Sequence, residues 1–208
     1  MDGVLVDSEN AYLDLFRDFL AKHQKEIKED ILLKIVGADT RMTWNYMSML
    51  WGPQDPPEYI RQLFHSEYPD DAVDYRDYLF PGIPDLLDQL KAQGYTLALA
   101  SSSKKKAIHR MLKENELECY FNIIVSGEDF KESKPNPEIY HDTRAKLQLA
   151  PEECLIVEDS SYGIQAGKAA GMEVVAIKDT QFSFDQSAAD YFIDKTTDLI
   201  NLLPLIEA

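Results

Sequence analysis

From Phe80 onward, short and almost wholly apolar runs alternate with helix-length amphipathic segments, and no other feature of the sequence restricts the fold as much. The apolar runs fall at residues 95–100, 121–125, 154–157 and 174–177, with 191–193 as a shorter edge candidate. Helices are expected over 83–93, 104–114, 137–147 and 162–170, with a last one near 197–203. Strands without polar alternation are buried on both faces, and an intervening helix is the connection that parallel strands need. The expected class is therefore α/β, a parallel sheet with helices on both faces. In such sheets ligands gather at the carboxyl ends of the strands.

The sequence before Phe80 has a different character. Tyr12, Leu13, Phe16 and Leu20 recur at three- and four-residue spacing, as on one buried helical face. Further helices are expected over 29–35, 40–50 and 58–68, the last opened by the proline-rich turn at 52–57. No strand is expected in this stretch, which reads as a small helical bundle. The division predicted is residues 1–8 with 80–208 as one domain and residues 9–79 as a helical domain inserted into it.

A net charge of −16 argues against nucleic acid as a partner, because phosphate backbones are bound by clustered Lys and Arg. No apolar run approaches the roughly 18–20 residues needed to span a bilayer, and no basic start leads into an apolar leader. Two cysteines, Cys119 and Cys154, lack metal-like spacing and suit a reducing compartment, each packing as a small apolar residue. A cytosolic chain without membrane contact, monomeric or weakly dimeric, is expected.

Polar residues of one chemical theme follow the apolar runs. Residue 100 leads into Ser101-Ser102-Ser103, Val125 leads through Gly127-Glu128-Asp129 to Lys134-Pro135, and Val157 leads into Glu158-Asp159-Ser160. Taken singly, each has an ordinary use: serines cap helices, a lysine before proline sits in an exposed turn, and a terminal aspartate is solvated. Their joint occurrence at strand ends is what points to a site.

Asp2 to Glu9, Phe80-Pro81-Gly82, Ser133-Lys134-Pro135 and Glu158-Asp159-Ser160, in this order and over essentially the whole chain, resemble the haloacid dehalogenase (HAD) superfamily in its beta-phosphoglucomutase-like branch. The resemblance implies a Rossmann-like core with the helical segment as a cap domain. It implies a small phosphorylated metabolite as substrate, Mg2+ as cofactor, and chemistry through an aspartyl-phosphate. Ser101, Ser102 and Lys134 would hold the phosphate, Asp2 would be the general acid/base, and Asp2 (through its backbone carbonyl), Glu158 and Asp159 would serve the metal. Such a site is physically reasonable: a phosphoryl group in transfer spreads charge over its oxygens and needs cations, donors and positioning. Oxygen ligands suit a hard ion such as Mg2+.

In the family the first motif reads Asp-x-Asp-Gly-[Val/Thr], with the nucleophile first. Asp2 matches the second Asp and Met1 stands at x, so the nucleophile and the strand that carries it would precede residue 1. The 208-residue chain is therefore expected to be inactive by itself. The family order puts that strand in the middle of the sheet. Its slot is expected to be filled by residues outside this sequence, by a partner's strand, or by local collapse of the sheet.

The cap would choose the substrate. Where the mutases of this branch carry a cap His, this chain has Tyr12, which is read first as part of the cap core. Where they carry an Arg it has Thr40, with Arg41 one residue out of register. This favours a phosphatase over a sugar-phosphate mutase. Glu158 and Asp159 weigh against a dehalogenase, and no early cap Lys supports a phosphonatase. The alternative outside enzymology is a non-catalytic protein that keeps phosphate or metal recognition.

Overall fold

The computed structural model describes residues 1–36, 38, 40–69 and 72–206, with the side chain of Thr40 outside the described atoms. The chain divides into two compact units, Ser8–Asp74 and a second formed by Met1–Asp7 with Tyr75–Ala208. From sequence the division was expected after residues 8 and 79.

The first unit is helical: α1 (Ser8–Lys22), α2 (Glu29–Leu32) prolonged by a 3-10 turn at Leu33–Ile35, α3 (Thr40–Trp51) and α4 (Pro57–Glu67). Pro57 opens α4 where a missing N–H costs nothing. Leu13, Phe16, Phe19 and Leu20 form the buried stripe of α1 and pack with Leu32, Trp44, Met47, Ile60 and Phe64. Each such side chain contributes about 1.5–3 kcal/mol by burial. Ring pairs such as Phe16–Phe64 and Phe19–Trp51, both 5.0 Å between centroids, fill the middle. Tyr12 is not part of this stripe. It is 47% exposed, because the stripe runs through residues 13, 16 and 20 and position 12 falls at its edge.

The second unit carries the expected alternation. Its order is α5 (Ile83–Ala92), β1 (Ala98–Ser101), α6 (Lys105–Glu114), β2 (Ile123–Ser126), α7 (Glu138–Leu147), β3 (Leu155–Glu158), α8 (Ser161–Ala169), β4 (Glu173–Ile177), β5 (Tyr191–Ile193) and α9 (Leu199–Ile206). All strand pairs are parallel. They form two ladders, β1 with β2 and β3-β4-β5, and among the described residues β1 and β3 are not paired with each other. β1 starts later than the 95–100 run suggested. Gly94 turns with φ 90° and the Tyr95 N–H closes onto the Leu90 carbonyl, so the first residues of the run end α5 instead of extending the strand.

Successive residues of β4 face opposite ways and explain why the run is apolar throughout. Val174 and Ala176 pack with Ile139, Tyr140 and Ile164 from α7 and α8, whereas Val175 joins Leu86 and Leu90 of α5 and Leu199 and Leu203 of α9. Cys154 lies at the edge of the first of these clusters. Cys119, expected to pack inside, is exposed because it lies on a 3-10 turn at the surface. Both thiols are free. Among the described residues no helix is long and apolar enough to cross a membrane.

Candidate active site

The polar strand ends converge at the carboxyl edge of the sheet. The first seven residues rise to this edge as a turn held by bonds from the Leu5 N–H to the Met1 carbonyl (2.8 Å) and from the Gly3 N–H to the Val6 carbonyl (2.9 Å). Asp2 meets the end of β1: Ser103 Oγ donates to its Oδ2 at 2.7 Å and Ser101 Oγ lies 3.4 Å from the same oxygen. Ser101 is buried and its Oγ also accepts the Ser103 N–H at 3.1 Å. Gly3 meets the end of β3. It has φ +63°, and a Cβ there would come within 1.9 Å of Asp159 Oδ2, so only glycine lets the turn pass this carboxylate.

Glu158, the last residue of β3, is the most heavily bonded side chain of the site. Its Oε1 receives Lys134 Nζ at 2.5 Å and Tyr140 Oη at 2.7 Å. Its Oε2 receives the Asp159 N–H at 3.2 Å, the Ser160 N–H at 3.5 Å and Ser160 Oγ at 3.2 Å. Ser160 also caps α8 by accepting the Gly163 N–H at 3.1 Å. Lys134 reaches this place from the loop before α7, after which a cis Lys134–Pro135 peptide leads into the helix. Its Nζ lies 3.5 Å from the Ala100 carbonyl and 4.7 Å from the centre of the Tyr140 ring.

Charge is distributed unevenly between the two neighbouring acids. Burial alone would raise Glu158, but the Lys134 ammonium and the hydrogen bonds from Lys134 and Tyr140 hold it down to about 2. Asp159 is raised to about 7 by burial and by the Glu158 carboxylate beside it. Burial and Glu158 likewise push the Tyr140 phenol well above its ordinary range, which keeps it a donor.

Residues 1–177 match the family of haloacid dehalogenase-like hydrolases. The chain belongs to this family. A phosphorylated carbohydrates phosphatase of Thermotoga maritima is 31% identical over 175 residues, covering 83% of this chain and 80% of the relative. A phosphoglycolate phosphatase of Aquifex aeolicus is 28% identical over 211 residues, covering 98% and 97%. Among solved structures, a T. maritima protein provisionally assigned as a beta-phosphoglucomutase superimposes with a TM-score of 0.85 at 28% identity, covering 99% of this chain and 96% of that one. The α/β core with its helical cap is thus the HAD arrangement, in the beta-phosphoglucomutase-like branch.

In this HAD hydrolase Asp2, Ser101, Lys134, Glu158 and Asp159 lie together at the strand ends, whereas Ser102 is exposed and packs its backbone against Gly127. Tyr12 and Arg41 lie in the helical unit, on α1 and α3, and the side chain of Thr40 is outside the described atoms. Three further residues join the site that motif reading did not single out. Ser103, not Ser101, makes the short bond to Asp2. Tyr140 holds Glu158 from α7. Gln186, from the loop after β4, donates through Nε2 to the carbonyls of Asp159 (2.5 Å) and Ile177 (2.7 Å). Ser103 was visible in the serine run; Tyr140 is an aromatic residue inside the expected 137–147 helix with nothing in the sequence to mark its hydroxyl, and Gln186 has no sequence signal.

As to a metal, no group of three or more His, Cys, Asp or Glu is gathered closely enough to hold one among the described residues. The donor chemistry still fits Mg2+, which keeps several waters and commonly uses one or two carboxylates. Asp159 is an acid pushed up by burial and by the like charge of Glu158 beside it, a place where a dication is electrostatically favoured. Glu158 is less suited to direct ligation than the sequence suggested, because both its oxygens already accept protein donors.

Proposed function

We propose that this chain is the body of a Mg2+-dependent phosphatase acting on a small phosphorylated metabolite. The observation that carries the reading is the convergence of Lys134 and the Glu158-Asp159 pair at the end of β3 with Asp2 and the serines at the end of β1. Asp159 and the Asp2 backbone carbonyl would hold Mg2+, which supplies charge neutralisation for the phosphate oxygens. Ser101 and Lys134 offer donors to those oxygens, and Glu158 fixes the height of Lys134 at the strand end. Asp2, oriented by Ser103, gives its proton to the leaving alcohol oxygen and then takes one from the attacking water. The carboxylate that accepts the phosphoryl group, as an aspartyl-phosphate, would stand one position before Met1.

The phosphatase names of the T. maritima and A. aeolicus relatives support hydrolysis. The fold match to the provisional mutase favours a sugar-phosphate mutase as the second reading. Phosphate release from a panel of phosphorylated sugars and small acids, with and without Mg2+, separates them. The test compares the 208-residue chain with one preceded by an apolar strand ending in Phe-Asp. The extended chain should hydrolyse with Mg2+ only, and Asp2→Asn should abolish turnover. Phosphoryl transfer between sugar hydroxyls without net release would establish the mutase, and equal turnover in both chains would refute the assigned acceptor.

A further inference from the structure

We propose that Tyr140 is a positioning residue of this site, setting through its hydroxyl and its ring where the Lys134 ammonium stands relative to a bound phosphate. The proposal rests on the phosphatase reading in one respect, that Lys134 meets phosphate oxygens.

Three groups form a closed triangle. Tyr140 Oη donates to Glu158 Oε1 at 2.7 Å, Lys134 Nζ donates to the same oxygen at 2.5 Å, and Nζ lies 4.7 Å from the Tyr140 ring centre. Tyr140 is 6% exposed, and the side chains of Lys134 and Glu158 are 10% and 8% exposed. In so dry a place hydrogen bonds to charged groups and cation–π contacts are at their strongest. Tyr140 sits on α7, whose other buried residues, Ile139 and Thr143, are anchored in the core. A rigid element therefore carries the phenol.

The arrangement divides the demand on one carboxylate oxygen between two donors. With the phenol present, Glu158 Oε1 is partly satisfied, and the ammonium keeps N–H capacity beyond its bonds to Glu158 and to the Ala100 carbonyl. Without the hydroxyl, Oε1 falls to Lys134 alone. With the pair already at 2.5 Å, the ammonium is then committed more strongly to Glu158 and donates less to the Asp2 and Ser101 side, where a phosphate would lie. A phenylalanine keeps the ring and its face toward the cation, so Tyr140→Phe isolates the hydroxyl, and Tyr140→Leu removes both contributions.

The test is calorimetric titration of inorganic phosphate, with Mg2+ present, into the 208-residue chain and its Tyr140→Phe, Tyr140→Leu and Lys134→Met variants, at a temperature where melting curves show all four folded. Tyr140→Phe should weaken phosphate binding about tenfold, the scale of one hydrogen bond to a charged group. Tyr140→Leu should weaken it further, and Lys134→Met should weaken it most. A side chain that only fills the core would leave the affinity of Tyr140→Phe at the wild-type value, whatever its melting temperature, and that result overturns the proposal. If Tyr140→Phe is unchanged while Lys134→Met is impaired, only the role of Tyr140 falls. If Lys134→Met also binds as wild type, or wild type binds no phosphate, the phosphate role of Lys134 falls and takes this inference with it.

Discussion

Placing a methyl group on Gly163 would put a Cβ 2.0 Å from Glu158 Cδ and 2.1 and 2.2 Å from its two oxygens, far inside van der Waals contact. In an ordinary helix Gly→Ala stabilises by about 1 kcal/mol. Here the methyl evicts a carboxylate that receives five donors, among them a buried lysine. Breaking a buried ion pair costs about 3–5 kcal/mol. Gly163→Ala should therefore destabilise by about 2–4 kcal/mol, which at ~2–4 °C per kcal/mol for a chain of this size lowers Tm by roughly 4–16 °C. The cause can be isolated by a cycle of thermal melts with Glu158→Ala. In that background the obstacle is gone, and the added methyl should become neutral or stabilise by up to about 1 kcal/mol. If Gly163→Ala destabilises equally in both backgrounds, the collision is not with Glu158 and the packing argument is wrong.

Two titration experiments follow from the raised and depressed acids. Asp159 is held above its ordinary value, to about 7, so its favourable protonated form is fully present below pH ~4 and that stability is lost as pH rises through about 7. With chelator present, Asp159→Asn should be more stable than wild type at pH 8, by at most about 4 kcal/mol, and not at pH 4; an advantage confined to acid would contradict the burial argument. Asp190 is the opposite case. Burial pushes it up, but Lys168 at 2.6 Å and the Val174 N–H at 2.7 Å pull its carboxyl below the usual range. That stability is present above pH ~4 and lost as pH falls through the lower folded value, so Asp190→Asn should cost about 1 kcal/mol at pH 7 and progressively less in acid. A cost independent of pH, in urea melts from pH 3 to 7, would show the charge to be irrelevant.

The core was legible because its signal is redundant. A strand buried on both faces must be apolar at every position, and the 174–177 run has Val174 and Ala176 on one face and Val175 on the other. The helical unit was legible through the spacing of Leu13, Phe16 and Leu20, yet spacing alone could not tell the stripe from its border, and Tyr12 fell outside. The site was legible where its residues follow strands in a fixed order, as Ser101, Lys134, Glu158 and Asp159 do. The residues that hold them were hidden for physical reasons. Tyr140 serves the apolar core with its ring and the site with one oxygen, and only the first role shows in a hydrophobic pattern. Gln186 works through the backbone carbonyls of Asp159 and Ile177, whose directions no sequence records.

The ladders β1-β2 and β3-β4-β5 share no backbone bond between β1 and β3 among the described residues, yet one nitrogen reaches both. Lys134 Nζ contacts the Ala100 carbonyl in one ladder and Glu158 at the end of the other. It is a stitch across a seam. A side-chain cation thus links the two ladders at the top of the sheet, and a stitch of that kind can be loosened by anything that competes for its charge. The same ammonium group thus touches both ladders and the site, so hydrogen exchange at the ends of β1 and β3 should register an anion arriving above them.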